Sequence, residues 1–138
     1  MINACILAAG ESKRMGQTKA LLNFGETTFL GQIISVIKSS DVDRVSVVLG
    51  ADAERIQESV DLSGTDVVIN KDYKKGQLSS LIAALGSIPP AAEAILVCLV
   101  DHPFISRVVI NRIIGKFRET GSPIVIPVFE KKRRHPAL

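Results

Sequence analysis

Segments with the hydrophobic pattern of β-strands alternate along this chain with segments of helical spacing. Apolar and β-branched runs predict strands at Ile2–Leu7, Arg44–Leu49, Asp66–Ile69, Ala94–Val100 and Ile124–Phe129. Between them, apolar residues three and four apart predict helices at Thr28–Ser39, Asp52–Val60, Gln77–Ile88 and Ser106–Glu119. Because strand–helix–strand units join parallel strands by right-handed crossovers, the alternation predicts an α/β fold with a doubly wound, mostly parallel sheet.

Local signals predict where these elements end and which strand lies deepest. Thr27 or Thr28, Asp52 and Ser106 are the predicted N-caps of three helices, and Gly121 is expected to end the last one. The Ala94–Val100 segment is almost continuously apolar. Such a run is typical of a central parallel strand that is buried on both faces.

The composition limits the class of protein. A chain of 138 residues with 46% apolar residues is long enough for one domain with a proper core. It carries no apolar run of membrane-spanning length and no secretion signal at its N-terminus, so we expect a cytoplasmic protein without a membrane partner. The net charge of +3 derives partly from Lys131–Arg134, but one tyrosine and no tryptophan argue against a nucleic-acid partner.

The two cysteines do not form a recognisable metal or disulfide pattern. Cys5 and Cys98 lie in separate apolar segments without Cys-x-x-Cys spacing. We therefore expect two buried thiols.

A glycine-bearing basic segment follows the first predicted strand. Gly10 and Gly16 permit close approach of a ligand to the backbone, and Lys13, Arg14 and Lys19 supply positive charge for an anion. The spacing matches neither the common phosphate loop nor the dinucleotide fingerprint. On spacing alone, a phosphate-binding loop and a solvated, mobile loop remain equally good interpretations.

The carboxyl ends of the predicted strands carry further polar residues. Ligands bind outside these ends in a parallel sheet, so we expect residues 8–19, 70–76 and 101–103 to share one rim. Asp101 follows a buried strand, and one carboxylate with phosphate oxygens and water suits Mg²⁺. The alternative is an aspartate that merely begins a turn.

Two cations and one helix start complete the candidate site. Lys19 is the predicted contact of a triphosphate and Arg14 a second clamp, because phosphoryl transfer depends on positioning and charge stabilisation. For each, a solvated surface cation is the alternative. Asn70 ends a predicted strand, and residues 76–81 open the next helix, whose N-terminus and hydroxyls favour an anion. Ordinary helix capping explains these residues equally well.

The glycine-bearing segment matches a known signature at Leu7, Ala8, Gly10, Ser12, Arg14, Met15, Gly16 and Lys19. On this match the chain resembles the MobA-like nucleotidyltransferase family, and within it the cytidylyltransferases of the molybdenum cofactor. The resemblance implies a Rossmann-like nucleotidyltransferase fold. It covers the chain as a single nucleotidyltransferase domain, residues 1–138, which we expect to be truncated at the C-terminus because the family continues beyond its Gly-His-Pro segment.

The resemblance also implies roles for individual residues. The implied nucleotide-binding residues are Leu7, Ala8, Ala9, Gly10, Gly16, Lys19, Asn70, Ser79 and Ser80. The implied catalytic residues are Lys19, Arg14 and Asp101, of which Asp101 is the magnesium ligand. His102 and His135 are expected on the cofactor-substrate side. His102 stands where the family has glutamine and Val100 where it has glycine, so His102 is expected to affect substrate choice.

The reaction implied by the resemblance is transfer of CMP from CTP to molybdopterin or its molybdenum form, with Mg²⁺ as cofactor and pyrophosphate as product. Ala9 favours cytidine, because guanylyl members tend to carry glycine at that position. The alternatives are guanylyl or sugar-phosphate transfer, or a non-catalytic nucleotide-binding domain that assists a molybdenum hydroxylase.

Overall fold

The computed structural model describes residues 1–11 and 16–133. Its strands are β1 (Ile2–Ala8), β2 (Asn23–Phe24), β3 (Thr27–Thr28), β4 (Arg44–Leu49), β5 (Asp66–Ile69), β6 (Ala94–Leu99), β7 (Val128–Phe129) and β8 (Lys132–Arg133). Its helices are α1 (Phe29–Lys38), α2 (Ala53–Ser59), α3 (Gln77–Ser87) and α4 (Arg107–Thr120), with short 3₁₀ turns at Lys19–Leu21 and Tyr73–Lys75. Across the described ranges, no helix combines the length and apolar character needed to cross a membrane.

The main sheet is parallel throughout and has the order β5-β4-β1-β6. From β1 the chain passes through α1 to β4 and through α2 to β5, and then through α3 to β6 on the other side of β1. The direction of winding therefore reverses between β1 and β6. The structure confirms the predicted doubly wound α/β sheet, and this reversal creates a crevice at the carboxyl ends of β1 and β6.

The two faces of β1 divide the core. Ile2, Ala4 and Ile6 are fully buried in a cluster with side chains of α1, α2 and α4. Cys5 and Leu7 point to the other face, where Ala84 of α3 packs. Since successive residues of a strand alternate between faces, a strand buried on both sides must be apolar at nearly every position, as β1 is.

One prediction about the sheet was wrong. The segment from Ala94 was expected to form the central strand, but β1 holds that place, and among the described strands β6 pairs with β1 alone. In β6, Leu96 and Cys98 are buried, whereas the other four residues are only partly covered. An apolar run indicates that both faces of a strand are apolar, but it does not indicate how many strands pair with it.

Three of the predicted helix boundaries are confirmed, and one is corrected. The Thr28 and Ser106 hydroxyls accept hydrogen bonds from the N–H groups of Gly31 and Val109, at 3.1 and 3.3 Å. Gly121 ends α4 in the left-handed region, at φ 60°. Asp52 does occupy the position before α2, but its side chain makes no capping hydrogen bond. Its backbone is left-handed, and its carboxylate accepts a hydrogen bond from Thr18 instead.

The predicted strand at Ile124–Phe129 is also corrected. Only Val128 and Phe129 are extended and paired, in a small antiparallel hairpin with Lys132 and Arg133. Glu130 and Lys131 form the two-residue turn with φ of 50° and 62°, as a primed turn requires. Pro127 has no N–H to donate to a ladder, which explains why the strand does not extend backwards.

The cysteines lie on opposite faces of the sheet, as buried thiols. Cys5 is opposite Val97 in the β1–β6 register, and Cys98 is opposite Ile6, so the two side chains point away from each other. Burial raises the pKa of the Cys5 thiol to about 11 and that of the Cys98 thiol to about 12. Both thiols are therefore protonated in the folded protein at neutral pH.

We expect the native protein to resist a thiolate-selective reagent at pH 8 and to label at both cysteines after unfolding in urea, because only the unfolded chain exposes and ionises these thiols. Counting released chromophore with and without urea measures both states. Stoichiometric labelling of Cys5 or Cys98 in the native protein would contradict the described packing.

Candidate active site

A cavity of about 520 Å³ opens at the carboxyl ends of β1 and β6. It is lined by Leu7, Ala8, Ala9, Gly10, Glu11, Thr18, Lys19, Ala20, Tyr73, Lys74, Gly76, Gln77, Ser80, Leu99, Val100 and Asp101. Its walls thus come from the end of β1, the residues around the first 3₁₀ turn, the start of α3 and the end of β6. The cavity lies where the winding of the sheet reverses, which is where open α/β sheets bind their ligands.

Backbone pairing brings the two strand ends together. Leu7 is opposite Leu99 in the parallel register, and the Val100 N–H donates to the Leu7 carbonyl at 3.3 Å. Asp101 follows directly and therefore stands beside the segment that leaves β1. The backbone ladder thus brings together two strand ends whose contacting residues, Leu7 and Val100, are 93 positions apart in the sequence.

Lys19 and Asp101 form an ion pair in the wall of the cavity. The Lys19 ammonium lies 3.5 Å from one oxygen of Asp101, and each side chain is 42% exposed. The His102 Nε2 lies 3.7 Å from the other oxygen of Asp101 and is also half-exposed. An ion pair as exposed as Lys19–Asp101 contributes only about 0–1 kcal/mol to stability. The scaffold, and not the strength of the pair, therefore holds a cation and a carboxylate at the same opening.

The start of the glycine-bearing segment, at Ala9, is held by a close approach at Gly50. A methyl group on Gly50 would lie 2.6 Å from the Tyr73 Cβ and 2.9 Å from the Ala9 carbonyl oxygen. The next residue, Ala51, donates its N–H to that carbonyl at 3.1 Å. Gly50 thus lets Tyr73 pack closely against the base of the cavity.

The end of the same segment, at Thr18, is held by a polar contact. Thr18 is buried, and its hydroxyl donates to the Asp52 carboxylate. The Thr18 carbonyl accepts from the Leu21 N–H at 3.0 Å and so begins the 3₁₀ turn that carries Lys19. Neither Thr18 nor this role of Asp52 was predicted, because the two residues are 34 positions apart and match no local pattern.

Asn70 links the end of β5 to the start of α3. Its side-chain amide donates to the Ser79 and Ser80 hydroxyls at 2.9 and 3.0 Å, and its Oδ1 accepts from the Asp72 N–H at 2.9 Å. Asn70 is buried, and of the three residues only Ser80 lines the cavity. The observed contacts agree with the structural interpretation of Asn70 and Ser79, and their contact with a nucleotide stays a prediction.

The structure brings most of the predicted site together. Predicted residues that line the cavity are Leu7, Ala8, Ala9, Gly10, Lys19, Ser80 and Asp101. Gly16, Asn70, Ser79 and His102 are described but do not line it. Arg14 and His135 lie outside the described residues.

The cavity is also lined by residues that the sequence analysis did not single out, among them Glu11, Thr18, Tyr73, Lys74 and Gln77. Tyr73 and Lys74 could have been predicted, because they lie in the 70–76 segment that was expected on the rim.

The acidic residues at the cavity suit a hard cation that is held mainly by its substrate. Asp101 and Glu11 are the carboxylates among the described lining residues. Within the described part of the chain, no three His, Cys, Asp or Glu side chains converge as a complete metal cage. Mg²⁺ commonly takes one or two protein carboxylates and completes its shell with phosphate oxygens and water. Asp101 fits such an ion, with Glu11 as the second acidic group of the wall.

Comparison with known proteins identifies the family. The MobA-like NTP transferase domain matches residues 4–138, and the chain belongs to that family. The nicotine blue oxidoreductase of Paenarthrobacter nicotinovorans is 30% identical over 118 residues, which cover 85% of this chain and 57% of that protein. The resemblance predicted from residues 7–19 is thereby confirmed at the level of the family.

Solved structures confirm the Rossmann-like nucleotidyltransferase fold. Rv0371c of Mycobacterium tuberculosis is 31% identical with a TM-score of 0.88, over 99% of this chain and 69% of that one. Its homologue from Mycobacterium sp. strain JC1 is 34% identical with a TM-score of 0.90, over 99% and 68%. Rv0371c has also been solved in complex with manganese, at a TM-score of 0.84 and 30% identity, over 99% and 68%. The chain thus spans a little over half of the curated oxidoreductase and about two thirds of the mycobacterial chains.

We expect Gly50→Ala to lower the free energy of unfolding by about 1–3 kcal/mol, because the added methyl group must displace Tyr73 or the Ala9 carbonyl. Urea denaturation measures the change. The matched control is Gly115→Ala in α4, where a methyl group meets nothing within 4 Å. This control is expected to gain about 0.5–1 kcal/mol from the better helix propensity of alanine. Equal midpoints for Gly50→Ala and the parent protein would show that the close approach is absent.

Proposed function

We propose that this chain is a nucleotidyltransferase that binds a nucleoside triphosphate at the β1–β6 cavity and transfers the nucleotidyl group to a phosphate-bearing acceptor. The observation that carries the proposal is the placement of Lys19 and Asp101, 3.5 Å apart, at the opening of that cavity. A polyphosphate needs a cation, and its accompanying metal ion needs a carboxylate. Membership of the MobA-like NTP transferase family supports the same chemistry.

The transfer is a single displacement at phosphorus. An oxygen of the acceptor's terminal phosphate attacks the α-phosphorus, the bond from that phosphorus to the bridging oxygen breaks, and pyrophosphate leaves with the electron pair. Lys19 neutralises charge on the departing phosphates, and the main chain of residues 8–10 lies along the same wall. A divalent ion bound by Asp101 would supply further charge neutralisation and fix the geometry of the phosphates.

For the substrates, we propose CTP and molybdopterin or its molybdenum form, with Mg²⁺ as the ion. Ala9 supports cytidine because guanylyl members of the family tend to carry glycine at this position, and Ala9 is one of the residues that line the cavity. Guanylyl and sugar-phosphate transfer are the alternatives within the same chemistry. We further propose that residues 1–138 act as one domain in the cytoplasm, with a molybdenum hydroxylase as a further partner.

A redox reaction is the second candidate function. It is favoured by the 30% identity with a protein named nicotine blue oxidoreductase. In that case the cavity would hold a nucleotide-bearing electron donor instead of a substrate for transfer. The described residues supply no exposed thiol for redox work, since Cys5 and Cys98 are both buried, so the electrons would have to come from the bound nucleotide.

Pyrophosphate release separates these possibilities. The purified protein is incubated with Mg²⁺, molybdopterin and either CTP or GTP, and pyrophosphate is followed by a coupled assay. The proposal expects release with CTP and little with GTP. Binding of CTP without release from any triphosphate would favour a non-catalytic domain. Binding of a nicotinamide dinucleotide together with reduction of an added redox dye, and no release of pyrophosphate, would favour the redox candidate.

Asp101→Asn is expected to lower metal-dependent nucleotidyl transfer by at least about 100-fold, because the amide keeps the shape of the carboxylate but loses its charge toward the cation. Titration with Mg²⁺ at a fixed nucleotide concentration measures the effect. Asp66→Asn is the matched control, since Asp66 is half-exposed and paired to Arg44 at the opposite end of the strands. If Asp101→Asn showed the same magnesium dependence as the parent protein, Asp101 would not be a ligand of the metal ion.

Lys19→Ala is expected to weaken CTP binding by about tenfold or more while CMP binding changes little, because the ammonium is assigned to the outer phosphates. Calorimetric titration with each nucleotide measures the two affinities. Lys116→Ala, which removes an exposed, ion-paired lysine on α4, serves as the control. Equal weakening of CTP and CMP would contradict the assignment of Lys19 to the outer phosphates.

A further inference from the structure

One short turn contacts both Ala9 and Thr18, which lie at the two ends of the glycine-bearing segment. We call residues 50–52, between β4 and α2, the 50–52 turn. Its Ala51 N–H donates to the Ala9 carbonyl at 3.1 Å, at the point where the chain leaves β1. Its Asp52 carboxylate accepts from the Thr18 hydroxyl, at the point where the chain enters the turn that carries Lys19. A single turn after β4 therefore contacts the chain both where it leaves β1 and where it enters the 3₁₀ turn.

Asp52 adopts an unfavourable backbone conformation while making this contact. Its φ and ψ are 54° and 25°, in the left-handed region that favours glycine and asparagine. An aspartate at this position ordinarily caps the helix that follows, but the Asp52 side chain makes no capping bond to α2. Its carboxylate is turned to Thr18. Strain of this kind, kept beside a cavity, points to a role in the site.

Thr18 transmits the constraint to the neighbouring lysine. Thr18 is 6% exposed, and its carbonyl accepts the Leu21 N–H that closes the 3₁₀ turn. Lys19 is the next residue, and its ammonium lies 3.5 Å from Asp101. A fixed Thr18 thus fixes the backbone from which the Lys19 side chain reaches Asp101 in the cavity.

We infer that Thr18 and Asp52 are positioning residues that hold Lys19 in place for a bound polyphosphate. The inference rests on the proposed function, since it assigns the polyphosphate of that reaction to Lys19. Asp52 acts through Thr18 and does not line the cavity itself. A negative charge near an anion site opposes anion binding, so its presence is explained by the hydrogen bond and not by attraction for the ligand.

The sign of the charge effect makes the test sharp. Asp52→Gly removes the acceptor and relieves the left-handed strain, and Asp52→Asn keeps an acceptor oxygen and tolerates the same backbone. Both changes remove a negative charge, so simple electrostatics predicts tighter binding of an anion by both variants. Positioning predicts weaker binding by Asp52→Gly and near-normal binding by Asp52→Asn.

The experiment measures binding of inorganic tripolyphosphate by calorimetry, with thermal unfolding and pyrophosphate release alongside. We expect Asp52→Gly and Thr18→Val to bind tripolyphosphate about tenfold more weakly, and their kcat/KM for the triphosphate to fall roughly 10- to 100-fold. Asp52→Asn and Thr18→Ser are expected to retain most of the affinity. The unfolding midpoint of Asp52→Gly is expected to stay within about 3 °C of the parent, which a merely structural role would not allow.

Thr65→Val is the matched control, because it also deletes a partly buried hydroxyl hydrogen bond, from Thr65 to the Leu62 carbonyl, in a turn that does not line the cavity. Its tripolyphosphate affinity is expected to match the parent. Affinity of Asp52→Gly within twofold of the parent, or equal loss in the Gly and Asn variants, would overturn the inference.

The parent protein distinguishes the two proposals. Binding of tripolyphosphate without pyrophosphate release from any nucleotide would contradict the proposed function. The tripolyphosphate affinities of the variants, relative to that of the parent, would then still test the positioning role. Absence of tripolyphosphate binding by the parent would overturn the positioning role directly.

Discussion

Parallel pairing of β1 with β6 is the interaction on which the candidate site depends. The ladder places Leu7 opposite Leu99, and the segments that follow the two strands diverge from adjacent points. One segment leads to Lys19 and the other to Asp101, whose charged groups meet 3.5 Å apart. Since both side chains are half-exposed, their attraction contributes little to folding. The buried apolar strands therefore determine where the charges lie, and the charges are available to a ligand.

The same scaffold fixes the walls of the site largely through backbone hydrogen bonds. Backbone bonds from the 50–52 turn and from Val100 fix the ends of the lining segments. Asn70 fixes the third wall by joining β5 to α3 through the hydroxyls of two serines. The cavity itself presents Lys19, Lys74, Glu11 and Asp101, a mixture of both charges suited to an anion that arrives with a cation.

Much of this arrangement was predictable from the sequence, because it follows from local patterns. Runs of β-branched residues defined Arg44–Leu49 and Asp66–Ile69, and hydroxyl residues marked the caps at Thr28 and Ser106. The rule that ligands bind at the carboxyl ends of parallel strands then placed Asp101 beside the glycine-bearing loop. Features that arise from distant contacts were not predictable. The Thr18–Asp52 bond joins positions 34 apart, and the partial exposure of β6 depends on its neighbours in the sheet. The strand expected at 124–129 failed because a single proline outweighed the apolar pattern.

The central claim is that a nucleoside triphosphate and its cation bind in the cavity that Lys19 and Asp101 line. A crystal structure grown with CTP and Mn²⁺ tests it most directly, because the anomalous signal of manganese locates the ion independently of the nucleotide. The account predicts an anomalous peak at the Asp101 carboxylate, with the triphosphate against Lys19 and the 8–10 backbone. A nucleotide bound elsewhere on the protein, or a manganese ion away from Asp101, would contradict it.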